Sequence, residues 1–172
     1  IANSAAAHGS TVVLGVLTGT YEDFENSLIA LTDEPQVYTK RHLVPFGEYF
    51  PVPGFVRDWL RLANLPYIDA TPGLAEQPPL DVAGERLAIT ICYEAVFGAE
   101  QLHYLPEATL LVNVSNDAWF GDSIGPHQHL QIARVRAAEA GRYMLRAANT
   151  GITALIDPQG RVVSRIPQFE PG

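Results

Sequence analysis

Apolar runs of strand length, set apart by turn-forming clusters, recur along this chain and constrain its fold more than any other feature. The first, Thr11-Val12-Val13-Leu14-Gly15-Val16-Leu17, is β-branched and ends at Thr18-Gly19, which is the pattern of a fully buried strand. Residues 27–31 and 36–40 read as two more strands, joined by the turn cluster Thr32-Asp33-Glu34-Pro35. Lys40 therefore falls at a strand end. Residues 81–87 read as a hairpin around Ala83-Gly84, its second strand carrying Leu87, Ile89 and Ile91 on one face and stopping at Cys92.

Between these runs lie helical signals. Phe55, Val56, Trp59, Leu60 and Ala63 recur at helical spacing after Pro51-Val52-Pro53-Gly54. A proline-rich stretch over residues 64–79 reads as a long loop, and residues 95–104 as a helix. Residues 108–114 follow as a buried strand, and residues 115–126, rich in Asn, Asp and Gly, as a loop. The clearest helix spans 128–142, where Ala and Arg dominate and neither Pro nor Gly intervenes before Gly141. Arg134, Arg136 and Arg142 are expected on its solvated face. Strands over 143–148 and 152–156, then the turn Asp157-Pro158-Gln159-Gly160 into 161–166, complete the chain. Alternating strands and helices, with hairpins between them, predict an α/β sandwich in which helices cover β-sheet.

With 172 residues, 47% of them hydrophobic, the chain supports one substantial core and a single domain. A net charge of -8 leaves no basic stripe for a phosphate backbone, which argues against nucleic acid as a partner. No apolar run approaches the roughly 20 residues that span a bilayer. The first residue is Ile1 rather than Met, with no signal-peptide pattern ahead of the fold, so the expectation is a processed or excised chain.

One lysine and one cysteine stand out. The other ten basic residues are arginine, so the exception points to a need for a primary amine. Lysine shifts its pKa and exchanges a proton where arginine does not, and a nearby ammonium favours the nucleophilic thiolate. The plainer alternative makes Cys92 a small buried hydrophobe and Lys40 a solvated charge. For acyl transfer, Cys92 at the end of an inner strand supplies the nucleophile, and the backbone N–H of Tyr93 is the nearest donor for an oxyanion. Lys40, from another strand end, can approach the same oxygen, with Glu48 and Glu94 suited to orienting the amine or relaying protons. His127 and His129 are expected on different faces, with no third ligand, so no metal is assigned. Trp119-Phe120 and Tyr49-Phe50 are candidate lipid-facing loops. Asp117 reads equally well as a turn former or as a substrate contact.

The segment from Tyr38 to Pro51, which contains Lys40-Arg41-His42-Leu43-Val44-Pro45-Phe46-Gly47-Glu48, together with Ile91-Cys92-Tyr93-Glu94, resembles the nitrilase superfamily and within it the apolipoprotein N-acyltransferases. Asn113-Val114-Ser115-Asn116-Asp117-Ala118-Trp119-Phe120-Gly121, Gly125-Pro126-His127-Gln128-His129 and Arg146-Ala147-Ala148-Asn149-Thr150-Gly151 are similar to the same family. The resemblance implies a nitrilase-like αββα sandwich, here partial, and a Glu-Lys-Cys triad with Cys92 as nucleophile and Lys40 as the oxyanion-stabilising amine. It makes Glu48 a second glutamate supporting the site and Tyr93 and Glu94 supporting neighbours of the nucleophile.

The implied reaction moves an acyl chain from a phospholipid to Cys92 as a thioester, then to the α-amino group of a diacylglyceryl-cysteine on an apolipoprotein. No cofactor is implied. The implied setting is the bacterial inner membrane, with the catalytic domain on the periplasmic side and held there by membrane segments outside this chain. The triad's general-base glutamate is expected in a Pro-Glu motif upstream of the strand at Val12. The chain is therefore expected to be an incomplete catalytic domain without turnover of its own. The alternative is a soluble amidase of the same superfamily, in which water resolves the thioester. A further alternative is a binding domain that keeps the fold without the chemistry.

Overall fold

Strand β5, Glu85–Ile91, alternates its side chains between two separate cores. Leu87, Ile89 and Ile91 pack with Leu28, Ala30, Tyr38 and Val112, whereas Ala88 packs with Leu111, Ala133, Ala137 and Met144. A strand apolar on both faces must lie between two covering layers. That position sets the architecture of this computed structural model, which describes residues 5–20, 23–56, 59 and 69–171.

One layer is a three-stranded antiparallel sheet of β1 (Val12–Gly19), β2 (Phe24–Leu31) and β3 (Gln36–Thr39). The central layer has six strands in sequence order: β4 (Leu80–Val82), β5, β6 (Leu110–Asn116), β7 (Tyr143–Asn149), β8 (Thr153–Ile156) and β9 (Val162–Ile166). β5, β6 and β7 are parallel and the outer pairs antiparallel. Helix α2 (Gly125–Ala140) closes the far face through Leu130, Ala133 and Ala137, and the shorter α1 (Gly98–Leu102) lies between β5 and β6 in sequence. These layers give a mixed α/β fold, a partial αββα sandwich. Each fully buried Leu or Ile in the two cores contributes about 1.5–3 kcal/mol.

The β4–β5 hairpin forms as the sequence implies, with both turn residues in left-handed backbone, Ala83 at φ 51° and Gly84 at φ 84°. Three boundaries differ from expectation. The helix expected over 95–104 is instead a 3₁₀ turn, Cys92–Val96, followed by α1, because Phe97 leaves helical space at φ -90°, ψ 77°. The long helix begins earlier, at Gly125, since Pro126 needs no N–H partner in the first turn. It stops at Gly141, whose φ of 61° is the left-handed conformation that ends helices. The expected loop over 115–126 is partly ordered, with β6 continuing to Asn116 and a 3₁₀ turn at Asp117–Phe120.

Arg134 and Arg142 are not simply solvated. Their Nε atoms donate to Gly160 O at 2.7 Å and Ala108 O at 3.0 Å, fastening loops to the helix. Phe55, Val56 and Trp59 are helical. The remainder of that helix and the first part of the loop over 64–79 lie outside the described residues.

Candidate active site

Lys40 follows the last residue of β3, and its side chain is 1% exposed. A buried ammonium needs charged partners. Glu48 supplies them, with both carboxylate oxygens 2.7 Å from Lys40 Nζ. The carboxylate is itself anchored by Val44 N–H at 2.7 Å and by the Asn26 side-chain amide on β2. Lys40 is therefore set in one orientation by a glutamate whose own position is fixed by backbone and by the neighbouring strand.

Cys92 is half-buried where β5 ends, with φ at 50°. A non-glycine residue in left-handed backbone carries strain that the surroundings must sustain. Here it turns the chain sharply from strand into the 3₁₀ turn, with Cys92 packed half-buried against the core between the two sheets. Glu94 stabilises that turn by reaching back to the N–H of Ile91 at 2.8 Å, which satisfies one of the donors left open at a helix start. Its carboxylate also accepts from Arg41 N–H at 2.7 Å, His42 N–H at 3.2 Å and Tyr38 Oη at 3.0 and 3.1 Å. Burial, reinforced by Glu94, pushes the Tyr38 phenol well above its ordinary range, so it acts as a donor.

Of the two glutamates expected to orient the lysine, Glu48 contacts the amine, whereas Glu94 holds the backbone on both sides of the site. Tyr93 packs edge-on against Phe97 at a centroid distance of 5.2 Å, and Phe97 stacks on His42 at 4.4 Å. A cleft of about 560 Å³ between the two sheets reaches Asn26 and Ile91 at this end and is lined in part by Ser115, Asn116 and Asn149.

Behind Cys92 lies a buried polar chain that the sequence reading did not assemble. His129, 6% exposed on α2, has Nε2 3.2 Å from the Cys92 carbonyl and Nδ1 2.9 Å from Asp117 Oδ1. Asp117 Oδ1 also accepts from Ser115 Oγ at 2.6 Å, and Oδ2 pairs with Arg146 NH2 at 2.8 Å. Arg146 continues to Ile152 O at 3.2 Å and to the Asn113 side chain. Burial alone would raise the Asp117 carboxyl, but His129, Ser115 and Arg146 outweigh it and hold the group below its usual range. Burial pulls Arg146 downward, opposed by Asp117 and by Cys92.

The signal for this network was present in spacing. His129 falls on the stripe of Pro126, Leu130, Ala133 and Ala137, the buried face of α2, and Arg146 alternates with Tyr143 and Leu145 so as to point inward beside Met144. His127, by contrast, is exposed.

The fold and the sequence both have known counterparts. A CN-hydrolase superfamily protein from Xanthomonas campestris superposes with a TM-score of 0.72 at 22% identity, covering 99% of this chain and 63% of that one. The NitFhit protein of C. elegans gives 0.75 at 23% identity over 96% of this chain and 42% of its own. The apolipoprotein N-acyltransferase of Nitrosomonas europaea is 47% identical over 172 residues, 98% of this chain and 35% of the relative. That of Methylococcus capsulatus is 49% identical over 168 residues, 96% of this chain and 33% of the relative. The chain thus spans about a third of the length of these relatives. The carbon-nitrogen hydrolase family matches residues 1–172 without remainder, and the chain belongs to that family.

Proposed function

We propose that this chain is a single, incomplete catalytic domain of a phospholipid-to-lipoprotein N-acyltransferase. The observation that carries the reading is the pairing of a buried, glutamate-held Lys40 with Cys92 at a strained strand end, the two segments being joined by Glu94. Identity of 47–49% to apolipoprotein N-acyltransferases supports this chemistry over hydrolysis by a soluble amidase. Trp119 at 82% exposure, together with exposed Phe46 and Phe50, puts apolar rings on loops, as an enzyme drawing acyl chains from a lipid surface requires.

In the first half-reaction the Cys92 thiolate attacks the ester carbonyl of a phospholipid. A C–S bond forms, the ester C–O bond breaks, and the lysophospholipid leaves with a proton. Lys40 and the Tyr93 N–H stabilise the oxyanion, and Glu48 keeps the amine aimed. The general base is the triad glutamate, contributed from upstream of β1. In the second half-reaction the α-amino group of a diacylglyceryl-cysteine attacks the thioester. An amide C–N bond forms, the C–S bond breaks, and the thiol regains its proton. The setting is the periplasmic side of the inner membrane. Among the described residues no helix is long and apolar enough to cross a bilayer.

Incubating the full-length protein with phospholipid vesicles and mapping peptides by mass spectrometry tests the first half-reaction. The expected result is an acyl-sized adduct on Cys92 that hydroxylamine removes. No adduct on Cys92 would refute the reading.

A further inference from the structure

The His129 ring lies between two acceptors. The Cys92 carbonyl, 3.2 Å from Nε2, can only accept a hydrogen bond, so Nε2 carries a proton. Asp117 Oδ1, 2.9 Å from Nδ1, belongs to a carboxylate that already accepts from Ser115 Oγ and pairs with Arg146. The ring thus ties the Cys92 carbonyl to the buried Asp117 carboxylate. Among the described residues the charged groups facing it are Asp117, on the 3₁₀ turn after β6, and Arg146 on β7 beyond it, with the Phe120 ring edge-to-face at a centroid distance of 6.2 Å.

Anchoring the Cys92 carbonyl has a consequence on the other side of the same bond. In a planar trans peptide the C=O and the following N–H point in opposite directions. Fixing Cys92 O towards α2 therefore fixes Tyr93 N–H away from it, and a hydrogen-bond donor on the carbonyl polarises the peptide and strengthens the N–H as a donor. The left-handed φ of Cys92 leaves this peptide dependent on such an anchor.

We propose that His129, held by Asp117, is a positioning residue that orients the Cys92–Tyr93 peptide so that the Tyr93 N–H serves as an oxyanion donor. The inference rests on Cys92 being the nucleophile but not on the identity of the acyl donor or acceptor.

The test compares two reagents on the full-length protein, with modification of the Cys92 peptide followed by mass spectrometry. p-Nitrophenyl acetate acylates the thiol through an oxyanion and releases p-nitrophenolate; iodoacetamide alkylates it without one. In His129→Asn, whose amide reaches only the Nδ1 position, the ratio of acylation to alkylation rate is expected to fall at least about tenfold, the scale of a weakened oxyanion donor. His129→Gln, whose amide reaches towards Cys92 O, restores most of the ratio. Equal changes in the two rates, no change in either, or Gln no better than Asn would overturn the proposal. Nitrogen-15 spectra of the unaltered protein provide a check independent of variant folding. Nε2 of His129 is expected to carry the proton that it donates to Cys92 O, and a bare Nε2 would overturn the proposal equally. An unaltered protein in which Cys92 takes up neither reagent would instead point to failure of the nucleophile assignment.

Discussion

The Glu94 carboxylate accepts the Arg41 N–H at 2.7 Å, fastening the segment after Lys40 to the turn after Cys92. The same carboxylate takes the N–H groups of His42 and Ile91 and the Tyr38 hydroxyl. One side chain thereby sets the spacing between the amine and the thiol.

Replacing Glu94 with Gln turns one of those acceptors into a donor facing donors. The expected cost is about 3 kcal/mol of stability, from the buried N–H groups left unpaired. Thermal unfolding measures the cost, and alkylation of Cys92 in the still-folded variant should also slow. A variant as stable as the parent would show that Glu94 is dispensable to the site.

Lys40→Arg keeps the charge but not the shape. A planar guanidinium does not fit a site 1% exposed and built around a compact ammonium, and it cannot exchange a proton at neutral pH. Acylation of Cys92 is expected to fall at least about a hundredfold, the scale of a lost oxyanion donor. Near-normal acylation in this variant would remove Lys40 from the chemistry.

The strain at Cys92 has a thermodynamic signature. With φ at 50°, a residue bearing Cβ is held where glycine is at ease. Cys92→Gly should therefore be more stable than Cys92→Ala by about 1 kcal/mol, read as a higher Tm. The reverse order would mean that the turn is unstrained.

Asp117 gives the protein an acid limit. Its folded pKa lies below the ordinary value because His129, Ser115 and Arg146 together outweigh burial. A depressed carboxyl contributes its full stability above the unfolded pKa, near 4, and loses it as pH falls through the lower folded value. Unfolding free energy measured against pH should thus drop below about pH 4, and Asp117→Asn should flatten that part of the curve. An unchanged acid limb in the variant would assign the loss to other groups.

How far the sequence revealed these relations depended on how local they are. The placement of Lys40 at the end of β3 and Cys92 at the end of β5 follows from apolar runs that stop there, and the Ala83-Gly84 hairpin from turn chemistry within four residues. Glu48, eight residues from Lys40, was within reach of the same reading. The chain behind Cys92 was not, because Asp117, His129 and Arg146 meet across separations of 12 and 29 residues, closed by the packing of α2 on the 3₁₀ turn and by the pairing of β6 with β7. The interruption at Phe97 was hidden for another reason. Residues 95–104 carry no proline, and the dihedral that breaks the helix arises where Phe97 packs on His42 and Tyr93.

Under the proposed function an amine, not water, resolves the thioester on Cys92. The most direct measurement is a chase of the acylated full-length protein with a diacylglyceryl-cysteine peptide or with buffer alone, following both the Cys92 adduct and the peptide mass. The adduct is expected to persist in buffer and to be lost with the peptide, which gains one acyl group as an amide. Loss of the adduct to free fatty acid at the same rate in both would contradict it and make the enzyme a hydrolase.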